Sequence, residues 1–341
     1  MVDWLQNASL TASNTFGFEV VAERYAEVSD AAQIPSLLAI IEQQNWPLLI
    51  LGGGSNLVLS SKLPGCVLRI ALRGYDVLED HVDHVIIRVA AGEEWHQCVT
   101  HCLQNEWYGL ENLALIPGSV GAAPVQNIGA YGVELKDVVS KVDVYDRRAK
   151  QFDSLSVEQC HFGYRDSVFK SIHPDRYLIT HVCFKLSKVP RVSVAYAALE
   201  SACRHLYPNA ASYSPRQVFD AVCYVRRSKL PDPSKLGNAG SFFKNPVVSS
   251  DVFFELKEAY PELVAYPDVQ GYKLAAGWMI DYLGWKGRRI ESVGVHKDQA
   301  LVLVNHGGGS RESIESLSAQ IQTDVMKCFR VFLEVEPRFY P

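Results

Sequence analysis

Hydrophobic positions spaced three or four residues apart predict amphipathic helices in several parts of the chain. The longest stripe follows Ser310 and consists of Ile314, Leu317, Ile321, Val325 and Phe329. A second lies between residues 93 and 107 and places on one face Trp95, Cys98, Val99, Cys102 and Leu103. Shorter helices are predicted over residues 36–44, 214–227 and 273–283.

Continuous or alternating apolar runs between these segments predict strands. Pro47–Leu51 is a buried strand in this interpretation, and Leu57–Leu59 is a short second one. Further strands are predicted over residues 84–91, 138–145, 177–186, 299–305 and 331–340. Because helices and strands alternate along all 341 residues, we expect an α+β protein of α/β layers, with two or three domains.

Residues 115–132 break this pattern: they carry no charge, four glycines and two prolines. A surface loop is normally more polar, and regular elements are rarely interrupted so often. Glycines at such positions allow a positive φ or leave room for a ligand, and successive amides can form an anion-binding concavity. The segment therefore indicates either a phosphate-bearing ligand or a buried packing loop.

A second glycine run, Gly52–Asn56, separates the predicted strands at 47–51 and 57–59. Strand, glycine turn and strand form a phosphate-loop arrangement without a helix. The run does not match G-x-G-x-x-G, and no Walker lysine follows it. A Rossmann cofactor site is therefore not supported.

The charge distribution favours a small ligand over nucleic acid. The net charge is −5, which argues against general nucleic-acid binding. Residues 226–244 contain one acidic residue, Asp232, and five basic residues, namely Arg226, Arg227, Lys229, Lys235 and Lys244. Such a patch attracts a small anion or is a solvated basic face.

The remaining bulk features predict a cytoplasmic protein without a membrane span. No run approaches eighteen apolar residues, and the N-terminus lacks a basic region followed by an apolar core. The eight cysteines are scattered and form no Cys-x-x-Cys. We therefore expect buried thiols in a reducing compartment, with neither a metal site nor a disulfide framework.

Three short segments contain candidate catalytic or ligand-binding residues. Ser241 follows a glycine and precedes two phenylalanines, so it is either a turn residue or a proton donor toward a strongly basic centre. Arg165 could bind a carboxylate in a bidentate manner or pair with Asp166. Glu336 and Arg338 would share a face of a strand, which fits a structural ion pair or a cavity wall.

Six segments in this order resemble the UDP-N-acetylenolpyruvoylglucosamine reductase family, a group of bacterial flavoenzymes of peptidoglycan synthesis. The resemblance covers about residue 14 to the end, and the segment 190–230 is similar to the longer, type I form. The matching segments are Asn14–Gly17, Leu51–Asn56, Ile116–Gly132, Phe162–Ser167, Lys229–Pro233 and Asn238–Pro246.

The resemblance implies a two-part FAD-binding region of the vanillyl-alcohol-oxidase (PCMH) type and a C-terminal α/β substrate domain. The expected domains are 1–72, 73–228 and 229–341, and the last strand could return to the FAD region. The residues expected to hold non-covalent FAD are Gly52, Gly53, Gly54, Ser55, Asn56, Pro117, Gly118, Ser119, Gly121, Ala122, Ala123, Gln126, Asn127, Ile128, Gly129, Tyr131, Gly132 and Arg338.

The implied reaction reduces an enolpyruvyl ether of a UDP-sugar, with NADPH as donor and FAD as carrier. Ser241 matches the family's proton donor, and Arg165 and Glu336 match residues that stabilise the enolate-like intermediate. Glu334 is a second candidate for the role of Glu336. In the family a proline usually precedes the catalytic glutamate, whereas here Pro337 follows Glu336. The spacing to Arg338 favours Glu336.

The UDP-sugar is expected to contact Tyr196, Lys229, Asn245, Tyr266, Lys286 and Gln299. The resemblance also implies a monomer. The alternatives are an FAD-dependent oxidase of the same fold group and a non-catalytic nucleotide-sugar-binding protein.

Overall fold

A computed structural model describes residues 4–341. The chain forms two compact units. Unit 1 contains residues 4–8, Ala22–Gly53 and Pro64–Ser228, and unit 2 contains Ser9–Val21, Gly54–Leu63 and Lys229–Pro341. The finer division at residue 72 remains a prediction.

Short strands dominate the described residues. They are β1 Leu5–Ser9, β2 Val21–Val28, β3 Leu48–Leu51, β4 Leu57–Leu59, β5 Lys62–Leu63, β6 Cys66–Ile70, β7 Tyr75–Asp80, β8 His84–Ala90, β9 Gly129–Ala130, β10 Val133–Glu134, β11 Val139–Asp146, β12 Gln151–Ser156, β13 Tyr177–Ser187, β14 Gly237–Ser241, β15 Val247–Val248, β16 Ala265–Asp268, β17 Gly271–Leu274, β18 Arg289–Ile290, β19 Val293–Val295, β20 Val302–Asn305 and β21 Arg338–Tyr340.

The α-helices are α1 Ile34–Gln43, α2 Trp95–Gln104, α3 Ala197–Leu206, α4 Pro215–Lys229, α5 Ser250–Ala259, α6 Ala276–Tyr282 and α7 Arg311–Phe329. A 3₁₀ turn covers Val120–Gln126. This mixture of elements confirms the predicted α+β class.

Unit 1 is built on two sheets. The first has the order β1-β2-β6-β3, with β2 and β3 both parallel to β6, and α1 connects β2 to β3. The second is antiparallel, in the order β12-β11-β13-β8-β7. Pairs such as Val182 with Val89 and Phe184 with Ile87 are fully buried and lie in the core of this unit.

Helix α2 is shorter than its hydrophobic pattern predicted, because its ends are capped. The Glu94 side chain accepts hydrogen bonds from the amides of His96 and Gln97, so the helix begins at Trp95. At the other end, the Asn105 side chain donates to the His101 carbonyl. The predicted apolar face is confirmed, since Trp95, Cys98, Val99 and Cys102 are buried.

Unit 2 contains an antiparallel sheet of order β14-β20-β19-β18 and a smaller one of order β15-β17-β16. Helix α7 starts as predicted, with the Ser310 hydroxyl accepting from the Ser313 amide. All five residues of its predicted stripe are buried. The sequence pattern therefore placed this helix and its inner face correctly.

Two predicted elements in unit 2 are wrong in extent. Lys273 belongs to β17, where it pairs with Val247 and Tyr266, so the helix predicted over 273–283 begins only at Ala276. The strand predicted over 331–340 is reduced to Arg338–Tyr340, which runs parallel to β4. In both cases pairing with distant strands decides the boundary.

No helix among residues 4–341 combines the length and the apolar character needed to cross a bilayer. All eight cysteines are free thiols, and seven of them are buried.

Candidate active site

The two glycine-rich segments meet backbone to backbone in unit 1. A Cβ atom on Gly53 would lie 2.8 Å from the Cα atom of Gly118, and one on Gly52 would lie 2.5 Å from the Ser119 hydroxyl oxygen. The Gly53 distance is set by backbone and leaves no room for a side chain, whereas the Ser119 hydroxyl near Gly52 could rotate away. The structure thus joins the two segments into one surface.

Part of the second segment is already committed to internal hydrogen bonds. The amides of Val120 and Gly121 donate to the carbonyls of Glu93 and Ala91, and the amide of Ala122 donates to Ser119. Among residues 4–341, the amides of Gly53 and Ser119 have no acceptor. Ser119 is buried, and buried amides normally have partners, so this amide and that of Gly53 are available for a phosphate or a flavin.

Uncharged, sterically constrained glycine backbone with free amides fits the diphosphate of a dinucleotide. A negative ligand in such a cradle meets amide dipoles and no competing carboxylate, since Gly52–Asn56 and Pro117–Ala123 contain no acid. The residues present therefore fit FAD. The same geometry narrows the predicted contacts, because Gly121 and Ala122 can contribute backbone surface but no free amide.

The turn at Gly54 is organised within unit 2. Gly54 has a φ of +63°, and a Cβ atom there would lie 1.9 Å from the Ser13 carbonyl oxygen. Its own carbonyl accepts from the Thr15 amide. Asn56 extends this contact to the C-terminal segment, since its side chain donates to the Glu336 carbonyl at 3.3 Å and its carbonyl accepts from the Arg338 amide at 3.0 Å.

Asn127, a predicted cofactor residue, has its side chain fully engaged by the protein. It is buried in the left-handed region at a φ of 44°. Its amide group donates to Glu134 and to the Gly163 carbonyl, and its oxygen accepts from the Lys136 amide. Asn127 therefore fixes the shape of the segment that also contains Gln126, Ile128, Gly129 and Gly132.

Arg165 lies in a tight turn in which Gly163 and Asp166 exchange backbone hydrogen bonds. Its φ of 53° is unusual for a residue with a side chain, and such conformations concentrate at functional sites. The guanidinium donates to the Gly129 carbonyl at 2.7 Å, beside the predicted flavin segment. The turn thus directs a half-buried cation to the glycine-rich surface.

Arg226 is a residue of this site whose individual role was not predicted from the sequence. Its Nε donates to the Leu115 carbonyl at 3.1 Å, and no carboxylate among residues 4–341 forms an ion pair with it. Burial lowers the pKa of Arg226, an effect that the nearby Tyr131 opposes and the positive charge of Arg165 reinforces. Arg226 is partly buried and lies near Arg165, so the two positive charges favour binding of an anion at this surface.

The signal for Arg226 in the sequence is faint. It is one of five bases in the 226–244 patch. Its helical position on α4, next to the buried Val225 and Val222, is the pattern that could have separated it from the exposed Arg227.

Ser241 ends β14 after a β-bulge in unit 2. Asn238 pairs with Val304 and Ser241 with Val302, so two residues of β14 lie opposite a single residue of β20. Within this bulge the Gly240 amide donates to the Asn238 side chain, at a φ of +72° for the glycine. Bulges redirect side chains next to active sites, and this one sets the direction of the half-buried Ser241.

Glu336 lies beside this segment. Its amide donates to the Phe242 carbonyl at 2.9 Å. The nearby Glu334 carboxylate binds the Lys244 ammonium at 2.5 Å. The structure therefore brings the backbones of Ser241 and Glu336 close together and pairs Glu334 with Lys244.

Two predicted substrate residues converge on the start of α6. The Asn245 side-chain oxygen accepts from the Ala276 amide at 3.0 Å. A Cβ atom on Gly277 would lie 3.8 Å from the Gln299 side-chain oxygen. Lys286, four residues after the end of α6, forms an ion pair with Asp281 of that helix.

The other predicted substrate residues are more peripheral within their units. Tyr266 is half-exposed on β16, and Lys229 is exposed at the end of α4. Tyr196 precedes α3, and its ring makes an edge contact with Tyr131 at a centroid distance of 5.4 Å. In the part of the chain from Trp4 onward, no group of three metal-binding side chains occurs.

Comparison with known proteins gives two family matches. Residues 232–340 match the UDP-N-acetylenolpyruvoylglucosamine reductase C-terminal domain, and residues 22–153 match an FAD binding domain.

Curated relatives match almost the whole chain under the name UDP-N-acetylenolpyruvoylglucosamine reductase. The protein from Polynucleobacter asymbioticus is 46% identical over 97% of this chain and 95% of its own length. Those from Pseudomonas putida and Pseudomonas aeruginosa are 44% and 46% identical, over 99% and 98% of both chains.

Among solved structures, UDP-N-acetylenolpyruvylglucosamine reductase from Thermus caldophilus has a similar fold. Its TM-score is 0.69 at 24% identity, covering 100% of this chain and 99% of that one.

Proposed function

Because this chain belongs to the UDP-N-acetylenolpyruvoylglucosamine reductase family, we propose that it reduces UDP-N-acetyl-3-O-(1-carboxyvinyl)glucosamine to UDP-N-acetylmuramate. NADPH is the electron donor, and the product is a precursor of peptidoglycan. The observation that carries this proposal is the 46% identity over 97% of the chain to a curated relative of that name.

The chemistry that FAD supplies when bound is acceptance of a hydride from NADPH and its delivery to the vinyl carbon of the substrate. The protein's contribution begins with holding the cofactor. The free amides of Gly53 and Ser119 would hold its diphosphate, and the backbone of residues 126–132 would contact its ring system. Arg338, two residues after Glu336 at the start of β21, completes the predicted set.

Two cations of unit 1 then prepare the site for the substrate carboxylate. Arg165 is held by its turn and by the Gly129 carbonyl. Arg226 adds a partly buried positive charge that forms no ion pair among residues 4–341. Fixed positive groups stabilise negative charge that develops during a reaction, so these residues favour an enolate-like intermediate.

In unit 2, Ser241 donates a proton to the carbon next to the site of hydride addition. A serine hydroxyl is a weak acid, but an enolate-like carbon is basic enough to take its proton. Glu336, at the neighbouring backbone position, stabilises the same intermediate. The UDP-sugar is bound by Tyr196, Lys229, Asn245, Tyr266, Lys286 and Gln299.

A visible spectrum under anaerobic conditions tests the proposal. Purified protein reconstituted with FAD is expected to be yellow, to lose colour with NADPH and to regain it only after addition of the enolpyruvyl sugar. Recolouring by oxygen without that sugar would instead indicate an oxidase. Protein that is folded but never binds FAD would indicate a nucleotide-sugar-binding protein.

We also propose that the protein works as a monomer in the cytoplasm. The free cysteines support a reducing compartment. Light scattering after size exclusion tests the oligomeric state, and a mass of one chain, 38.0 kDa, is expected. Fluorescence of a tagged protein in cells tests the compartment.

A further inference from the structure

The Lys244–Glu334 ion pair lies close in sequence to Ser241 and Glu336, the two proposed catalytic residues of unit 2, but takes no part in the reaction described above. Lys244 is three residues after Ser241, and Glu334 is two residues before Glu336. The Nζ–Oε1 distance is 2.5 Å. The pair joins two segments, residues 241–245 and 333–337, and its role depends on how these segments are bonded to each other.

The two segments are antiparallel and are joined by few bonds. Phe243 and Val335 form an isolated antiparallel bridge. It is flanked by the hydrogen bond from the Glu336 amide to the Phe242 carbonyl and by that from the Lys244 amide to the Glu334 carbonyl, each 2.9 Å. In this register Lys244 lies opposite Glu334, and Phe242 opposite Glu336.

The backbone pairing does not extend on the side of the proposed active site, because the amides that would continue it are bonded elsewhere. The Phe242 amide donates to the Leu301 carbonyl at 2.7 Å, and the Arg338 amide donates to the Asn56 carbonyl at 3.0 Å. On the other side, the Leu333 carbonyl is held by the Gln322 side chain of α7. The register of Glu336 against residues 241–245 therefore depends on two backbone bonds and on side chains.

The ion pair can fix the register between these two segments. The Lys244 side chain is only 12% exposed, so its charge needs a fixed acceptor. Glu334 is the acceptor in this register, and a shift of one residue would present a different residue to Lys244 and would move Glu336 to the other face. The Glu334 side chain is 61% exposed, so the pair acts through the direction of its hydrogen bond in this register and adds little to overall stability.

We propose that Lys244 and Glu334 are a positioning pair, which sets the register of the C-terminal segment and thereby holds the Glu336 carboxylate and Ser241 in working geometry. This inference rests on the proposed function for its effect on turnover. It also has a consequence that does not depend on activity, because the amides of Lys244 and Glu336 are protected from hydrogen exchange only while the register holds.

The experiment compares Glu334→Gln, Lys244→Met, the double variant and the charge reversal Lys244→Glu/Glu334→Lys. Each single change is expected to lower kcat about 10-fold with little effect on KM, since small misplacements of catalytic groups are costly. The double variant should be no worse than either single one, because both remove the same interaction. The charge reversal should recover part of the loss.

Two further measurements separate positioning from chemistry. The rate at which NADPH bleaches the bound flavin should not change in any of these variants. Hydrogen exchange of the peptides covering residues 242–244 and 334–336 should speed up in the single variants. Glu200→Gln is the matched control, because it breaks an exposed 2.5 Å pair with Arg204 and should change neither readout.

Unchanged exchange and turnover in Glu334→Gln would overturn the proposal. A rise in KM for Lys244→Met alone, with Glu334→Gln neutral, would also overturn it and make Lys244 a substrate ligand. Failure of the proposed function is distinct from both, since the wild-type protein would then show no turnover while the exchange measurement would still report on the pair.

Discussion

Gly53 illustrates, at the scale of single residues, how the cofactor site depends on the absence of side chains. The approach of an added Cβ atom to Gly118 is set by backbone on both sides, so neither partner can move aside easily. The glycine run is visible in the sequence. The reason for it, contact with a segment far along the chain, is visible only in the fold.

We expect Gly53→Ala to impair FAD binding more than folding. The added methyl group would lie 2.8 Å from the Gly118 Cα atom and would push the two segments apart. The check is the ratio of flavin absorbance to protein absorbance after reconstitution, together with the thermal unfolding temperature of the FAD-free protein. Gly277→Ala is the control, because its φ is not positive and its added Cβ would meet only side-chain atoms, the nearest being Leu301 Cγ at 3.4 Å. Full FAD occupancy in Gly53→Ala would contradict the contact.

Ser241→Ala is expected to lower overall turnover by roughly 10²-fold, the usual contribution of a general acid. Reduction of the flavin by NADPH should continue at the wild-type rate, because the proton is needed only after hydride delivery to the substrate. Stopped-flow spectra of the two half-reactions measure this separation. Equal turnover in Ser241→Ala and the wild type would remove Ser241 from the mechanism.

The two glutamates of the C-terminal segment should differ in degree. Glu336→Gln is expected to lower kcat by roughly 10²-fold or more, beyond the effect of Glu334→Gln, because only Glu336 is assigned contact with the reacting atoms. Steady-state kinetics of both variants decide the assignment. A severe loss confined to Glu334→Gln would mean that the spacing to Arg338 misled the choice.

At the scale of elements, the connection between β11 and β13 contains a strong ion pair away from the active site. Asp146 ends β11, and its carboxylate accepts from two nitrogens of Arg176: Nε lies 3.1 Å from both carboxylate oxygens, and Nη2 lies 2.6 Å from one of them. Arg176, followed by the backbone amides of Ala149 and Arg148, lowers the pKa of Asp146 to about 2. The carboxyl is therefore a stabilising group only when ionised.

This pair predicts a defined dependence of stability on pH. The pKa of Asp146 is lower in the folded than in the unfolded protein, so its contribution is complete above the unfolded value of about 4 and is lost as the pH falls through about 2. At neutral pH, Asp146→Asn should reduce the free energy of unfolding by about 1–3 kcal/mol. Urea unfolding at pH 7 and at pH 3 measures it, and the difference from wild type should shrink at the lower pH. Asp76→Asn, which breaks the exposed pair with Arg88, should cost less than about 1 kcal/mol.

At the scale of the whole molecule, unit 2 is assembled from three separate parts of the chain. The Asn238 amide donates to the Thr15 carbonyl, and the Asn305 side chain donates to the Phe16 carbonyl at 2.8 Å. β21 pairs with β4 from the segment Gly54–Leu63. A C-terminal fragment therefore lacks partners that its own sequence cannot provide.

We expect a fragment of residues 229–341 not to fold cooperatively alone. Without residues 9–21 and 54–63, the buried Asn238 and Asn305 lose hydrogen-bond partners, and β21 becomes an unpaired edge. Amide dispersion in a heteronuclear NMR spectrum of the fragment, compared with that of the full chain, is the measurement. A well-dispersed spectrum and a sharp thermal transition for the fragment would show that these contacts are dispensable.

The sequence alone determined the features that depend on neighbours in the chain. The stripe and capping serine of α7, the strand at Leu48–Leu51 and the uncharged glycine segments are local patterns, and the α+β class followed from them. The ordered motifs also led to the family that the relatives confirm. The spacing of hydrophobic residues and the conformational freedom of glycine depend on a few consecutive residues, so they can be read directly from the sequence.

Only the tertiary structure decided which groups remain available for a ligand. It showed that Val120–Ala122 amides are already bonded, that Arg226 lacks an acid and that Glu334 binds Lys244. It also joined residues 9–21 and 54–63 to the C-terminal part of the chain. A hydrogen bond or an ion pair depends on which partner arrives from elsewhere in the chain, and that information is absent from any local pattern.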